Sequence, residues 1–152
     1  MKTSPKGIEL IKHYEGLKLT AYLCPASVDT IGYGTTRYPD GRQVKPGDTI
    51  TKEQAEEYLV NDLKYIEVKV SRHFKTINQD QFDAVVSWVY NLGFGNLLAS
   101  TLRRKIMADP NDPSIHGEWV KWVYAGKIKL DGLRRRRESE YVLYSTGNLI
   151  FT

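Results

Sequence analysis

The sequence predicts an α+β protein that is predominantly helical. A small β-containing N-terminal lobe should be joined by a long helix to a helical C-terminal lobe. Three observations lead to this prediction: residues 19–38 have the character of short β-rich segments, residues 52–74 that of one amphipathic helix, and the chain beyond Thr76 that of helices and loops. The 152 residues suit a single domain, because no repeat, low-complexity tract or flexible linker interrupts them.

The first predicted helix covers residues 5–15, from a Ser-Pro pair to Gly16. Proline is favoured in a first helical turn, and glycine is favoured just after the last one. Ile8, Ile11 and Glu15 follow one another at spacings of three and four, which places them on one helical face. The sequence therefore puts a carboxylic acid on an apolar face at the end of a helix.

The connecting helix is predicted at about residues 52–74. It should begin at Thr51-Lys-Glu-Gln54, which has the spacing of a capping box. We assign the lobes to about residues 13–52 and 76–152, and a cleft between lobes is a usual place for an elongated ligand. The apolar stripe of the helix consists of Ala55, Leu59, Leu63, Ile66 and Val70.

The C-terminal lobe is predicted to contain only helices and loops. A helix capped by Asn78 should end at Leu92-Gly93, and another should begin near Ser100-Thr101. Residues 109–113 should form a loop, and a last helix should run from about residue 132 to 146. One further amphipathic helix is predicted from the spacing of Ile115, Trp119, Trp122 and Val123.

Composition restricts the class of partner. The net charge of +4 favours an anionic polymer, and nucleic acid and bacterial cell wall both qualify. The densest basic run, residues 134–137, has no interleaved aromatic residues, so we interpret it as a solvated helix face and expect no nucleic-acid binding. No apolar run approaches the ~18 residues of a membrane helix, and the first residues are polar. We therefore expect no membrane insertion and no signal peptide.

Glu15 is the strongest candidate for acid chemistry. An apolar face and the negative end of a helix dipole both favour the protonated carboxyl, which is the form that a general acid needs. The alternative is an exposed glutamate at a helix end with no catalytic role. The three histidines show no metal-ligand spacing, so no metal site is predicted.

Two residues compete to be the partner of Glu15. Cys24 lies in a predicted loop, and Asp29 directly precedes Thr30 in the run Thr30-Ile-Gly-Tyr-Gly34. In a strand, Thr30 and Asp29 point to opposite faces, so Asp29 should not reach the atom that Thr30 faces. The small residues beside Thr30 either admit a ligand closely or serve a tight turn. A lone cysteine is usually a buried apolar residue, although a loop position makes its thiol more accessible.

The run Glu15-Gly-Leu-Lys-Leu-Thr-Ala-Tyr22, followed by Thr30-Ile-Gly-Tyr-Gly34, resembles the phage-type lysozymes, or endolysins, of glycoside hydrolase family 24. Val89-Tyr-Asn-Leu-Gly93 with Ser100-Thr-Leu102 resembles the second conserved block of that family. Trp122-Val-Tyr-Ala-Gly126 with Leu133 and Arg135-Arg-Arg-Glu138 resembles the third. The resemblance spans nearly the whole chain in order, and it implies a lysozyme-like fold.

The resemblance also implies a catalytic set. The family pattern of glutamate, eight residues, Asp or Cys, five residues and threonine falls on Glu15, Cys24 and Thr30. Tyr90 and Asn91 match positions that line the substrate cleft in the family. Two departures accompany the match: Asp29 stands where relatives often have an apolar or aromatic residue, and Thr35 where many have histidine.

The implied activity is a muramidase. Protonated Glu15 would protonate the leaving oxygen of the β-1,4 bond between N-acetylmuramic acid and N-acetylglucosamine. Cys24 and Thr30 would position a water that attacks with inversion. A thiolate at neutral pH would require a lowered pKa of Cys24, for which the sequence offers only Arg37 and Lys18 as nearby cations. The alternatives are a lytic transglycosylase acting through Glu15 alone and a non-catalytic wall-binding module.

The resemblance further implies the setting in which the enzyme works. We expect a monomer that needs no cofactor and acts on bacterial peptidoglycan. It would wait in the host cytoplasm and reach the wall or periplasm at lysis, at the end of a phage cycle. The host species and the preferred wall chemistry do not follow from the sequence.

Overall fold

The computed structural model describes all residues, 1–152, and seven helices account for most of the chain. The predicted α+β class, predominantly helical, is confirmed. The helices are α1 Pro5–Glu15, α2 Lys52–His73, α3 Gln79–Leu92, α4 Phe94–Leu98, α5 Thr101–Ala108, α6 Ile115–Trp119 and α7 Asp131–Thr146. Two antiparallel hairpins complete the fold, formed by the strands β1 Lys18–Leu23, β2 Asp29–Gly32, β3 Tyr124–Ala125 and β4 Ile128–Lys129.

The chain divides into two compact units, residues 11–65 and residues 1–10 together with 66–152. In the first of these, β1 pairs with β2, and the segment after residue 47 adds to the other edge of β1, where Ile50 N–H donates to Leu19 O. The core of this unit lies between the hairpin and the N-terminal part of α2. It is formed by the buried side chains Ile11, Ile31, Tyr33, Val44, Ala55, Leu59 and Leu63.

The glycines of the second strand serve a turn. β2 ends at Gly32, and Ile31 exchanges two backbone hydrogen bonds with Thr35, which closes the turn between them. Gly32 and Gly34 have φ of +67° and +101°, a region that other residues rarely adopt. A Cβ on Gly32 would also lie 3.3 Å from the Cβ of Ala55. The close approach predicted beside Thr30 is therefore that of helix α2.

In the unit of residues 1–10 and 66–152, α3 forms the centre and packs most extensively on α7. Every residue of α3 from Gln81 to Val89 is buried, as expected for a helix surrounded by others. Its predicted start is confirmed, because Asn78 and Gln81 form a reciprocal capping box. Its predicted end is confirmed too, at Leu92 with Gly93 at φ +91°.

Most predicted helix boundaries agree with the structure. α1 ends before Gly16, α2 begins with the Thr51–Gln54 capping box, and Ser100 caps α5. Gly147 ends α7 in the left-handed conformation, as predicted. Ser4, directly before Pro5, donates its hydroxyl to the carboxylate of Asp83 in α3.

Two predictions for the C-terminal region were wrong, and one short helix was not predicted. The chain beyond Thr76 is not all helical, since β3 and β4 form a short hairpin around Gly126, whose φ is +62°. Strands of two residues are too short to show an alternating pattern. The helix predicted over residues 115–123 is only the single turn and a half of α6, because Trp122 and Val123 lie beyond its end. The sequence analysis also missed α4.

The basic run of residues 134–137 is not one solvated face. Arg134 and Arg135 are exposed, whereas Arg136 and Arg137 are buried. Glu140 explains the difference, because it lies four and three residues after the buried pair and its carboxylate contacts both guanidinium groups. No helix of the protein combines the length and the apolar character that crossing a membrane requires.

Candidate active site

Glu15 is the last residue of α1 and is half-buried. The turn that carries it is fixed to α2, because Lys12 Nζ donates to Glu56 Oε1 at 2.8 Å. This ion pair lowers the pKa of Glu56, and Lys12 also lies over the ring of Tyr33. Gly16, with φ +72°, ends the helix directly after Glu15. The carboxyl group of Glu15 is thus presented from a well-anchored helix end.

Cys24 lies in the loop between β1 and β2, as predicted. Its backbone N–H donates to Val28 O at 3.0 Å, and Ser27 N–H donates to Cys24 O at 2.8 Å, so residues 24–28 form a closed turn. Ser27 has φ +61°, which brings successive backbone N–H groups of the turn round to its inner side. The thiol is half-buried and forms no disulfide.

The turn favours the thiolate form of Cys24. The backbone N–H of Val28 makes the largest contribution to lowering the pKa of the thiol, and the Ala26 N–H and the Thr30 hydroxyl also lower it, against the opposing effect of desolvation. The sequence offered only Lys18 and Arg37 as nearby cations for this purpose. Neutral hydrogen-bond donors of the turn lower the pKa of the thiol instead.

Thr30 is buried in β2, and its hydroxyl joins Cys24 to the strand. Thr30 Oγ1 donates to Val28 O at 3.0 Å and also lies within hydrogen-bonding reach of the Cys24 sulfur. One hydroxyl proton therefore has two acceptors, and it can turn toward the sulfur when the thiol loses its proton. The Thr30 hydroxyl thus acts on the Cys24 thiol, so two of the three predicted catalytic residues interact.

Tyr22 connects this pair with Glu15. Burial makes the largest contribution to raising the pKa of the Tyr22 phenol, and negative charge on Glu15 and on Cys24 raises it further. Both groups therefore lie close enough to the phenol to interact electrostatically. Tyr22 is directly opposite Thr30 in the antiparallel pair, and opposed residues share one face of a sheet. The structure thus places Tyr22 and Thr30 on one face of the hairpin, with Glu15 and Cys24 within electrostatic range of the Tyr22 phenol.

Tyr22 was missed as a functional residue. The sequence contained a signal for it, because Tyr22 lies two residues before Cys24 and so points to the same side of an extended chain. The register with β2 could not be derived, since a bulge shifts the pairing between Lys18 and Tyr22.

Asp29 lies on the other face of the hairpin. Its partner in the register is Leu23, the neighbour of Tyr22 in β1. It lines an open surface pocket together with Thr36, Arg37 and Gln43, and none of Glu15, Cys24 and Thr30 lines that pocket. The geometry therefore separates Asp29 from the group formed by Glu15, Cys24 and Thr30.

Thr35, the second departure from the family pattern, donates its hydroxyl to Asp62 Oδ2 at 2.7 Å. Asp62 projects from α2 into a partly buried position. Burial raises the pKa of its carboxyl to about 6, and the Thr35 hydrogen bond offsets only part of that effect. A neutral hydroxyl therefore stands beside this carboxylate where many relatives have a histidine.

Tyr90 and Asn91, the predicted substrate contacts, are consecutive residues in the last turn of α3, and both are half-buried. The side chain of Asn91 is fixed by a buried arginine, because Arg137 Nη2 donates to Asn91 Oδ1 at 2.6 Å. They belong to a different unit from Glu15, Cys24 and Thr30.

The chain matches the family model described as phage lysozyme over residues 12–140. It is 38% identical to an endolysin of Acyrthosiphon pisum secondary endosymbiont phage 1, over 97% of this chain and all of that protein. It is 39% identical to an endolysin of Bacillus phage B103, of which it spans about half, 55% of that protein's length and 97% of its own.

Among solved structures, an endolysin from Escherichia coli O157:H7 phage FAHEc1 superimposes with a TM-score of 0.90 at 37% identity, over 99% of this chain and 97% of that one. These matches agree with the fold and extend over nearly all of its elements. The chain belongs to the phage lysozyme family.

Proposed function

We propose that this lysozyme hydrolyses the β-1,4 bond between N-acetylmuramic acid and N-acetylglucosamine in peptidoglycan, with Glu15 as the general acid. Membership of the phage lysozyme family supports this reaction class, because it identifies the chain as a glycosidase. The register that sets Tyr22 opposite Thr30 carries the assignment of the residues, because the Tyr22 phenol interacts electrostatically with both Glu15 and Cys24, and the Thr30 hydroxyl acts on the Cys24 thiol. An acid and a candidate water-binding pair thus occur around Tyr22.

In this mechanism Glu15 donates its proton to the glycosidic oxygen as the bond to the muramic acid carbon breaks. A water held between Cys24 and Thr30 attacks that carbon from the opposite face, and the sulfur takes the proton that the water loses. The lowered pKa of Cys24 supports the second role, because a larger thiolate fraction makes a better base near neutral pH. Inversion at the attacked carbon follows from attack opposite to the leaving group.

Tyr90 and Asn91 are proposed as contacts to the glycan. Both are half-buried in the last turn of a helix whose residues Gln81–Val89 are all buried, so their side chains retain access to a ligand at that end of the helix. Tyrosine offers an apolar ring and a hydroxyl, and asparagine offers an amide, which together suit a sugar with an N-acetyl group.

The products of digestion test the proposal. Purified peptidoglycan is incubated with the enzyme, and the fragments are analysed by mass spectrometry. We expect reducing N-acetylmuramic acid ends that incorporate one ¹⁸O atom from labelled water. Anhydro ends without the label would show a transglycosylase acting through Glu15 alone. Intact glycan strands, from a sample shown to be folded, would show a wall-binding module.

The working state and place of the enzyme are part of the proposal. We propose that it acts as a monomer on the cell wall or in the periplasm, after release from the host cytoplasm. The endolysin names of its relatives support a role in lysis at the end of a phage cycle. Sedimentation of the purified protein tests the monomer, and a stable dimer at micromolar concentration would contradict it.

A further inference from the structure

We propose that Arg137 is a positioning residue that holds the amide of Asn91 with its NH₂ group available to donate to a carbonyl oxygen of peptidoglycan. This inference rests on the proposed role of Asn91 as a substrate contact. Beyond that role, it specifies the atom of Asn91 that makes the contact and the residue that keeps this atom directed at the substrate.

The first step is the network that holds Arg137. Its guanidinium is fully buried, and its Nε lies 2.9 Å from Oε1 of Glu140, which is also fully buried. Glu140 is fixed in turn, because Ser87 Oγ and Trp119 Nε1 donate to its two carboxylate oxygens at 2.6 and 3.3 Å. A planar guanidinium anchored in this way has little freedom to rotate, so the direction of its remaining N–H groups is set.

The second step is the contact with Asn91. Arg137 Nη2 donates to Asn91 Oδ1 at 2.6 Å, a short distance that is typical of hydrogen bonds from charged donors. An amide has one acceptor oxygen and one donor nitrogen, and its two flipped states exchange their positions. The flipped state of Asn91 would place N–H groups against N–H groups of the guanidinium. Arg137 therefore selects the state in which the oxygen faces inward.

The third step concerns the atom left for the substrate. With Oδ1 engaged, Nδ2 of Asn91 is the remaining polar atom of a half-buried side chain. It offers two donors and no acceptor, so it selects acceptor groups. Carbonyl oxygens, in the N-acetyl groups and in the stem peptides, are the strongest neutral acceptors that peptidoglycan provides. An amide free to flip would be in the donating state for only part of the time and would bind such a group less tightly.

The principal test replaces Asn91 by aspartate. Asn91→Asp keeps an oxygen for Arg137, changes the second polar atom from a donor to an acceptor, and adds a negative charge that Arg137 can pair with. We expect the variant to unfold at a temperature no lower than that of the wild type. Its apparent KM on soluble peptidoglycan fragments should rise roughly tenfold or more, with a smaller change in kcat, because about one hydrogen bond to the substrate is lost. A KM equal to that of the wild type would overturn the proposal.

Arg137→Lys and Arg136→Lys form a matched pair. Both arginines are buried and both contact Glu140, but Arg136 reaches Ser87, at 3.2 Å from its carbonyl, and not Asn91. We expect similar losses of melting temperature and a raised KM only for Arg137→Lys. Equal KM values for the two lysine variants would show a merely structural role. This pair decides the question even if Asn91→Asp does not fold.

Measurements on two substrates identify the carbonyl. If Asn91→Asp raises KM on glycan strands stripped of their peptides, the acceptor is an N-acetyl group. If it raises KM only on intact fragments, the acceptor belongs to the stem peptide. No effect on either substrate would overturn the proposal. A loss of activity in Glu15→Gln with unchanged KM would concern the chemical step alone, so failure of the proposed acid would be distinguished from failure of this inference.

Discussion

Replacement of Asp62 by asparagine should stabilise the protein at neutral pH. The carboxyl of Asp62 has a pKa of about 6 because burial disfavours its charge, whereas an unfolded chain would leave it near 3.8. The difference is about 2 pKa units, or about 3 kcal/mol at 1.36 kcal/mol per unit. Since solvent still reaches part of this carboxyl, we reduce the expected effect to about 1–2 kcal/mol. Asparagine retains an oxygen for the Thr35 hydroxyl, so the hydrogen bond should survive.

The sign of the pH dependence follows from the raised pKa. Below about pH 4 the carboxyl is protonated in the folded and in the unfolded state, so it does not change the free energy of unfolding. Between about pH 4 and pH 6 the unfolded state ionises first, so the wild type loses stability as the pH rises through this interval. Above about pH 6 the loss is complete. The advantage of Asp62→Asn should therefore be absent at pH 4, grow to pH 6 and remain constant at higher pH.

Urea unfolding of both proteins at pH 4, 5, 6 and 7 measures this advantage, provided that the m-values agree. Asp48→Asn is the control with the opposite sign. The pKa of Asp48 is lowered, chiefly by the backbone N–H of Lys45 and then by the Tyr38 hydroxyl, so this variant should lose stability at neutral pH and recover it on acidification. An Asp62→Asn variant that is less stable than the wild type at pH 7, or an advantage that does not change with pH, would refute the argument.

Three further predictions concern activity. Glu15→Gln should reduce lysis of permeabilised cells by about 10²–10⁴-fold without loss of fold by circular dichroism, and residual activity above about a tenth would exclude Glu15 as the acid. Asp29→Asn should reduce lysis far less, and losses equal to those of Glu15→Gln would identify Asp29 as the second catalytic group. Cys24→Asp should retain lysis and Cys24→Ser should lose most of it, while serine outperforming aspartate would favour a single-acid mechanism.

Much of the fold was predictable because its boundaries are marked by local chemistry. The capping box of Asn78 and Gln81 and the left-handed Gly147 each satisfy backbone groups at one helix end, and such signals need no knowledge of distant residues. The short elements α4 and β3–β4 were missed for the opposite reason. A helix of five residues and strands of two are too short for a periodic pattern, so tertiary contacts decide whether they form.

The residues of the candidate site could be proposed from the sequence, but the interactions that set the pKa of Cys24 could not. Glu15 was a candidate from its helical face, the resemblance to the family pattern implied Cys24 and Thr30, and the opposite directions of Thr30 and Asp29 followed from the alternation of a strand. The source of the lowered Cys24 pKa did not, because it depends on how the turn of residues 24–28 directs its N–H groups. The burial of Arg137 had a readable signal, since a glutamate three residues later can pair with it on one helix face.

The turn of residues 24–28 also explains why a thiol can occupy a position at which the family also uses aspartate. Backbone N–H groups of Val28 and Ala26 and the Thr30 hydroxyl all act on the charged form of whatever side chain stands at residue 24. These donors belong to the backbone and to a neighbouring strand, so they would remain if cysteine were replaced. A carboxylate would receive the same stabilisation, although its ordinary pKa already leaves it ionised at neutral pH. A serine hydroxyl would receive it too, but its proton is held far too tightly to be released near pH 7. The order of activity expected on this ground is aspartate and cysteine above serine, and it depends on the charge that the turn accommodates, not on side-chain size.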